Sequence, residues 1–273
     1  MKSRLLTLWI VLGMFTGIAV PAHALNLVDF GGDYVTSSAS VRDYTASGVV
    51  FSDSLLRSPA DADYYARSGA GHSTNFYGGV QASGGTFAGV SVYSGAPDSI
   101  LVYMNSLNAP DYVSAVWLWN KADFLNNAGA SPTIGATSMY LNAHIAGTSI
   151  SVARRVVLLQ GTNYFISAPL SITTPPYVTS LPDLPALTWY AYNPATSINA
   201  VGALATPAVG ADGALININA AGVWLRAQSS FAGWAQLYVY GFRMDGYAVP
   251  EPLAGLAMLV LCVFAVSTRT IRR

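Results

Sequence analysis

The chain is predicted to be all-β, a two-sheet β-sandwich of jelly-roll type carried between an N-terminal signal helix and one C-terminal transmembrane helix. Three observations lead there. Between the two hydrophobic ends, no 12-residue window sustains an i, i+3, i+4, i+7 apolar stripe free of Gly or Pro, so helices are not expected. In their place stand about a dozen short runs rich in β-branched and aromatic residues, separated by Gly, Pro, Asn and Asp clusters. Long Pro-rich connections such as 169–185 suit a closed sandwich, which hides most strand edges.

The elements follow in chain order. Lys2 and Arg4 precede an apolar stretch over 5–20, then Pro21 and Ala22-His23-Ala24, which is the charged region, hydrophobic region and small-residue cleavage site of a secretory leader. Cleavage after Ala24, with Ala22 and Ala24 as the recognised small residues, makes 1–24 the leader and starts the mature chain at Leu25 after passage through the Sec export machinery. Strands are expected at 27–30, 49–51, 79–82, 86–93, 100–103, 113–119, 138–145, 149–160, 164–167, 187–192, 223–227 and 237–242. The clearest hairpin is Val-Val-Leu-Leu-Gln-Gly-Thr-Asn-Tyr-Phe-Ile-Ser, 156–167, because Gly161 can take the positive φ its turn requires. A second hairpin is expected between 140–145 and 149–152 through Ala146-Gly147-Thr148. One domain spans 25–248, with no repeat that would indicate a propeller or solenoid.

At the C-terminus, the unbroken apolar run 253–266 is shorter than the roughly 20 residues of a comfortable spanning helix, but the window 249–268 reaches that length. Arg269, Arg272 and Arg273 follow it, so the positive-inside bias holds the basic tail 269–273 in the cytoplasm and leaves the residues before Val249 outside.

Composition narrows the exported part further. Residues 25–248 contain 12 aspartates and no glutamate against seven arginines and Lys121, a formal charge of −4, which leaves no basic stripe for nucleic acid. Cys262 is the only cysteine and lies in the hydrophobic tail, so disulfides do not stabilise the exported domain. The aromatic content is too high for a disordered chain.

Val249-Pro250-Glu251-Pro252, a hydrophobic segment at about 253–268 and a terminal Arg cluster together resemble the PEP-CTERM sorting signal of Gram-negative bacteria. The resemblance covers 249–273 and implies cutting near Pro250-Glu251-Pro252 by a membrane-embedded exosortase, a cysteine protease-transpeptidase. The ectodomain, transiently held by its C-terminal helix, would then pass to the outer surface or extracellular matrix. Prolines keep such a site out of a helix and open to a protease at the membrane face. Tails of this kind are also labelled as the C-terminal region of ice-binding proteins; the ectodomain shows no Thr-x-Thr array, so that label implies no ice-binding activity here. Between about 113 and 248, "AVWLWNKADFLN", "ARRVVLLQGTNYFIS" and "LTWYAYNP" are similar to the β-sandwich ectodomains found in front of this tail in environmental bacteria, which implies architecture more than activity.

Few residues point to chemistry. Trp117 and Trp119 are two apart on a strand and share a face, either as a stacking platform for sugar rings or as core. Trp189, Tyr190, Tyr192, Trp224, Trp234, Tyr238 and Tyr240 pose the same alternative. Asp61 and Asp63, in "SPADADYYARSG", are the weak candidates for Ca²⁺, although the stretch lacks the Gly and Glu of an EF-hand loop. His72 and His144 have no metal-spaced partner, and no other metal or cofactor is expected. Arg154 and Arg155 alternate, so at least one is expected to face solvent or a carboxylate. Glycoside hydrolysis needs two converging acids, and no such pair is located. The expectation is therefore a non-enzymatic surface or matrix protein associated with exopolysaccharide. The alternatives are a specific carbohydrate-binding module using Trp117 and Trp119, and, behind it, a polysaccharide-degrading enzyme.

Overall fold

A computed structural model describes residues 25–31, 40–42, 48–52, 77–83, 86–93, 99–121, 124, 133–148, 150–171, 178–181 and 183–249. The expected leader 1–24, with Ala22 and Ala24, lies outside these residues, as do Asp61, Asp63, Pro250, Glu251, Pro252 and the segment to Arg273. Among the described residues no helix is long and apolar enough to cross a membrane.

Among the described residues fifteen strands form two antiparallel sheets packed face to face. They are β1 Leu25–Gly31, β2 Ser40–Arg42, β3 Gly48–Ser52, β4 Tyr77–Ser83, β5 Thr86–Tyr93, β6 Ser99–Leu107, β7 Tyr112–Asn120 and β8 Thr133–Gly147. After these come β9 Ile150–Gln160, β10 Asn163–Ser167, β11 Val178–Leu181, β12 Trp189–Tyr192, β13 Val201–Leu204, β14 Ile218–Ser229 and β15 Gly233–Val249. The seven-stranded sheet runs β11-β8-β15-β6-β5-β2, with β1 also on β15; the eight-stranded sheet runs β13-β12-β10-β9-β14-β7-β4-β3. The all-β, two-sheet sandwich is thus what the strand pattern predicts. Each of the twelve expected runs falls on a strand; β2, β11 and β13, of three or four residues, are too short to carry a periodic signal.

The two orders correspond position by position. Chain-adjacent strands β2/β3, β4/β5, β6/β7, β14/β15 and β8/β9 each place one member in either sheet, and these ribbons lie side by side in that order. The late ribbon β14/β15 is inserted between β6/β7 and β8/β9, so it pairs on both flanks in both sheets. Ribbons folded across two layers are the jelly-roll-like feature of the fold. Where they bend, the chain is knit together: Ser229 N donates to Asp111 O at 2.8 Å and Thr148 N to Trp234 O at 3.3 Å.

This arrangement corrects the second expected hairpin. Residues 140–145 and 149–152 do not pair; β8 belongs to one sheet and β9 to the other. Each instead pairs along almost its whole length with β15 or β14, burying far more surface than a four-residue hairpin would. Gly147 is a corner residue: a Cβ there would meet Trp234 O at 2.4 Å. The 156–167 hairpin forms as expected, Asn163 pairing with Gln160, and Gly161 at φ 59° occupies the first turn position.

The main core lies between the sheets. Val113, Ala115, Trp117 and Trp119 from β7 and Val223, Leu225 and Ala227 from β14 face Leu141, Ala143 and Ile145 from β8 and Leu237, Val239 and Phe242 from β15. In β15 the inward set changes from Ala235, Leu237 and Val239 to Phe242 and Met244. A bulge between Val239 and Gly241 adds one residue and flips the alternation. A second apolar cluster covers the outer face of the eight-stranded sheet, from Tyr77, Val116, Leu118, Val157, Ile166, Tyr192, Ile198, Ala220 and Trp224. For this reason every residue from Val113 to Trp119 is buried.

Candidate functional site: a cation-aromatic face

The indoles that the sequence leaves as either sugar platform or core are core. Trp117 and Trp119 are both 0% exposed, and Trp119 stacks on Phe242 of the opposite sheet with centroids 4.8 Å apart and planes 9° apart. They join the sheets and present no face to solvent. This replaces the platform alternative at these two positions, because period-2 geometry put both indoles on the inward side of β7.

The other aromatics divide by location. Trp189 is buried, its Nε1 donating to Leu184 O at 3.3 Å. On the outer face of the seven-stranded sheet His144, Tyr238 and Tyr240 stack in a row, with centroids 5.9 and 5.4 Å apart. Rings stacked against one another turn edges, not faces, to a ligand. Burial, then the charge of Arg154, holds the His144 imidazole below the usual histidine range. Phe231, 70% exposed, and Trp234, 37% exposed, lie where β14 passes into β15.

The outer face of the eight-stranded sheet has a different character, set by β-register. Arg155 on β9 stands opposite Trp224 on β14, while Arg226 of β14 stands between Ala153 of β9 and Ser114 of β7. Next along, Gln228 stands opposite Tyr112. The Arg155 guanidinium lies 5.4 Å from the Trp224 ring centroid and that of Arg226 4.7 Å from the Tyr112 centroid. Cation–π contact of this kind contributes about 0.5–2 kcal/mol and helps hold each guanidinium over its ring. Arg155 Nη1 donates to Ser167 O at 2.8 Å, and Arg226 Nη2 to Gln228 Oε1 at 3.1 Å. Burial pulls the Arg155 guanidinium down from its ordinary range; the Tyr190 phenol opposes this and the like charge of Arg226 adds to it. Arg154, its sequence neighbour, points the other way and is buried, as strand alternation requires.

A strap, residues 193–200 between β12 and β13, crosses this face and closes one side of the patch. Ile198 O accepts from Trp224 Nε1 at 2.7 Å and from Tyr192 Oη at 2.9 Å. Gln81 Oε1 accepts from Ile198 N at 2.8 Å, Ser197 Oγ at 3.1 Å and Asn199 N at 3.3 Å, and Ser114 Oγ donates to Asn199 Oδ1 at 2.5 Å. Burial, reinforced by Tyr164, raises the Tyr192 phenol well above its usual range, so it stays a donor. Beside the Gly161 turn a cleft of about 490 Å³ is lined by neutral groups, among them Asn163, Tyr164, Tyr192 and Asn193.

Arg226 and its place beside Arg155 are not singled out by sequence reasoning. The signal lies in Trp224-Leu225-Arg226, whose period of two puts an indole and a guanidinium on one face, but only the pairing of β14 with β9 brings Arg155 to them. Among the described residues no three His, Cys, Asp or Glu side chains converge as a metal site. No protein-family profile matches the chain, and no curated protein matches it.

Proposed function

We propose that this protein is an exported, non-enzymatic component of the cell surface or extracellular matrix. In this reading it is processed at Val249-Pro250-Glu251-Pro252 by an exosortase-type protease and retained through association with exopolysaccharide. The observation that carries it is the position of the two ends of the sandwich. Leu25, the first residue after the leader cleavage site, pairs with Gly246 in the last turn of pairing before the tail, and β15 ends at Val249 beside Thr133. Residues 25 and 249 therefore lie at one pole of the sandwich, which supports a reading in which leader and tail are both removed from that side. The ribbon passages at 108–111 and 230–232 lie at the opposite pole, which a tail held at the membrane leaves pointing outward.

The test is the intact mass of the protein recovered from the native cell surface or medium, with its C-terminal peptide. A chain from Leu25 ending near Pro250 is expected, and a chain still carrying Arg273 refutes the sorting reading. Replacing Pro250 and Pro252 with Ala is expected to trap the protein in the inner membrane with its tail uncut. A stricter carbohydrate-binding role is the second reading, favoured by the aromatic-backed guanidinium pair on the outer sheet face.

A further inference from the structure

We propose that Arg155 and Arg226 form an anion site that takes the carboxylate groups of an acidic polysaccharide along the outer face of the eight-stranded sheet. The inference rests on the polysaccharide-association reading and names the class of polymer. Three features support it. First, the two cations are diagonal neighbours on paired strands, a spacing of about 7–8 Å between such positions, so each disfavours the other unless an anion lies between them. Second, among the described residues neither meets a carboxylate, and each makes a single hydrogen bond, to Ser167 O or to Gln228 Oε1. Arg243, on the other sheet, shows the usual alternative, a 2.9 Å ion pair with Asp245. Third, both arginines are half-buried and their guanidiniums lie over the Trp224 and Tyr112 rings, which restricts them and pre-positions their remaining N–H groups at little further entropic cost.

A planar guanidinium presents paired donors that match a carboxylate, and bonds between charged partners are the stronger class. Gln228 and Ser151, paired across β14 and β9, and Tyr190 of β12, which interacts with Arg155, are hydrogen-bonding groups of the kind that meet sugar hydroxyls. The domain as a whole carries −4, so attraction to a polyanion must come from this local pair and not from net charge.

The experiment is titration calorimetry of the purified protein with a polyuronate oligosaccharide, a neutral glucan oligosaccharide of equal length, and sodium sulfate. The variants are Arg226→Gln, Arg155→Gln and the control Arg243→Gln. Expected is binding of the polyuronate alone, weakened at least about tenfold in Arg226→Gln and Arg155→Gln, unchanged in Arg243→Gln, and reduced by salt. Arg155 also holds Ser167 O, so if Arg155→Gln does not fold, Arg226→Gln decides. Polyuronate bound equally well by Arg226→Gln overturns the site while leaving polysaccharide association standing. Sulfate bound without polyuronate overturns the polymer assignment, and no binding of either oligosaccharide overturns both it and the association reading.

Discussion

Replacing Trp119 or Phe242 with Ala separates a core indole from a binding indole. Trp119 is fully buried near the end of β7, and its ring lies over Phe242 of β15 at 4.8 Å and 9°, bridging the two sheets. Truncating a buried Trp or Phe to Ala costs about 3–5 kcal/mol through lost transfer energy and the cavity left behind. The stack itself contributes about 0.5–1.5 kcal/mol beyond area burial. For a domain whose total stability is of order 5–15 kcal/mol, either truncation removes a large share. At about 2–4 °C per kcal/mol, a drop in Tm of about 6–20 °C is expected for each. Equilibrium urea unfolding of the wild type, both single variants and the double variant closes the cycle. The double variant is expected to lose less than the sum of the singles by the stacking increment. A Trp119→Ala protein within about 0.5 kcal/mol of wild type, but impaired in glycan binding, would overturn the assignment of this ring to the core.

Two further predictions concern the strap and the histidine. Gln81→Ala removes the acceptor for Ile198 N, Ser197 Oγ and Asn199 N; Asn199 N keeps Ser197 Oγ at 3.2 Å, whereas the buried Ile198 N loses its partner at a cost of about 1–3 kcal/mol, so faster amide exchange at Ile198 is expected, and unchanged protection there refutes the anchoring role. His144 is held below the usual histidine range, so the unfolded chain takes up a proton near pH 6.5 that the folded protein still refuses. Stability is therefore expected to fall as pH drops through about 6.5 and to level off below the folded-state pKa, with His144→Gln flattening that slope. An NMR titration placing His144 at or above 6.5 contradicts it.

Strand content was legible because β-branched and aromatic runs between Gly and Pro clusters are local signals. The 156–167 hairpin was legible because Gly161 supplies a turn conformation that most residues avoid. The failed hairpin at 146–148 shows the limit of such signals. Ala146-Gly147-Thr148 looks like a turn, but whether the chain folds back within a sheet or steps across to the other depends on partners distant in sequence. Burial of Trp117 and Trp119 was equally undecided, since β7 is apolar on both faces; its outer face is covered by the strap from beyond β12 and its inner face by β15. The bulge at Val239 and Gly241 hid the core phase of β15, because one extra residue reverses which side chains point inward.

By itself, then, the sequence determined an all-β domain, a single hairpin turn, an acid-rich and cysteine-free segment over 25–248, and two terminal segments whose order of charge, hydrophobicity and proline is read as an address. These depend on composition and on spacings of a few residues, which a linear reading contains. Only the tertiary structure decided which indoles are core and that Arg155 meets Trp224 and Arg226, because strand register across β14, β9 and β7 joins residues 71 positions apart and sets the face each side chain takes.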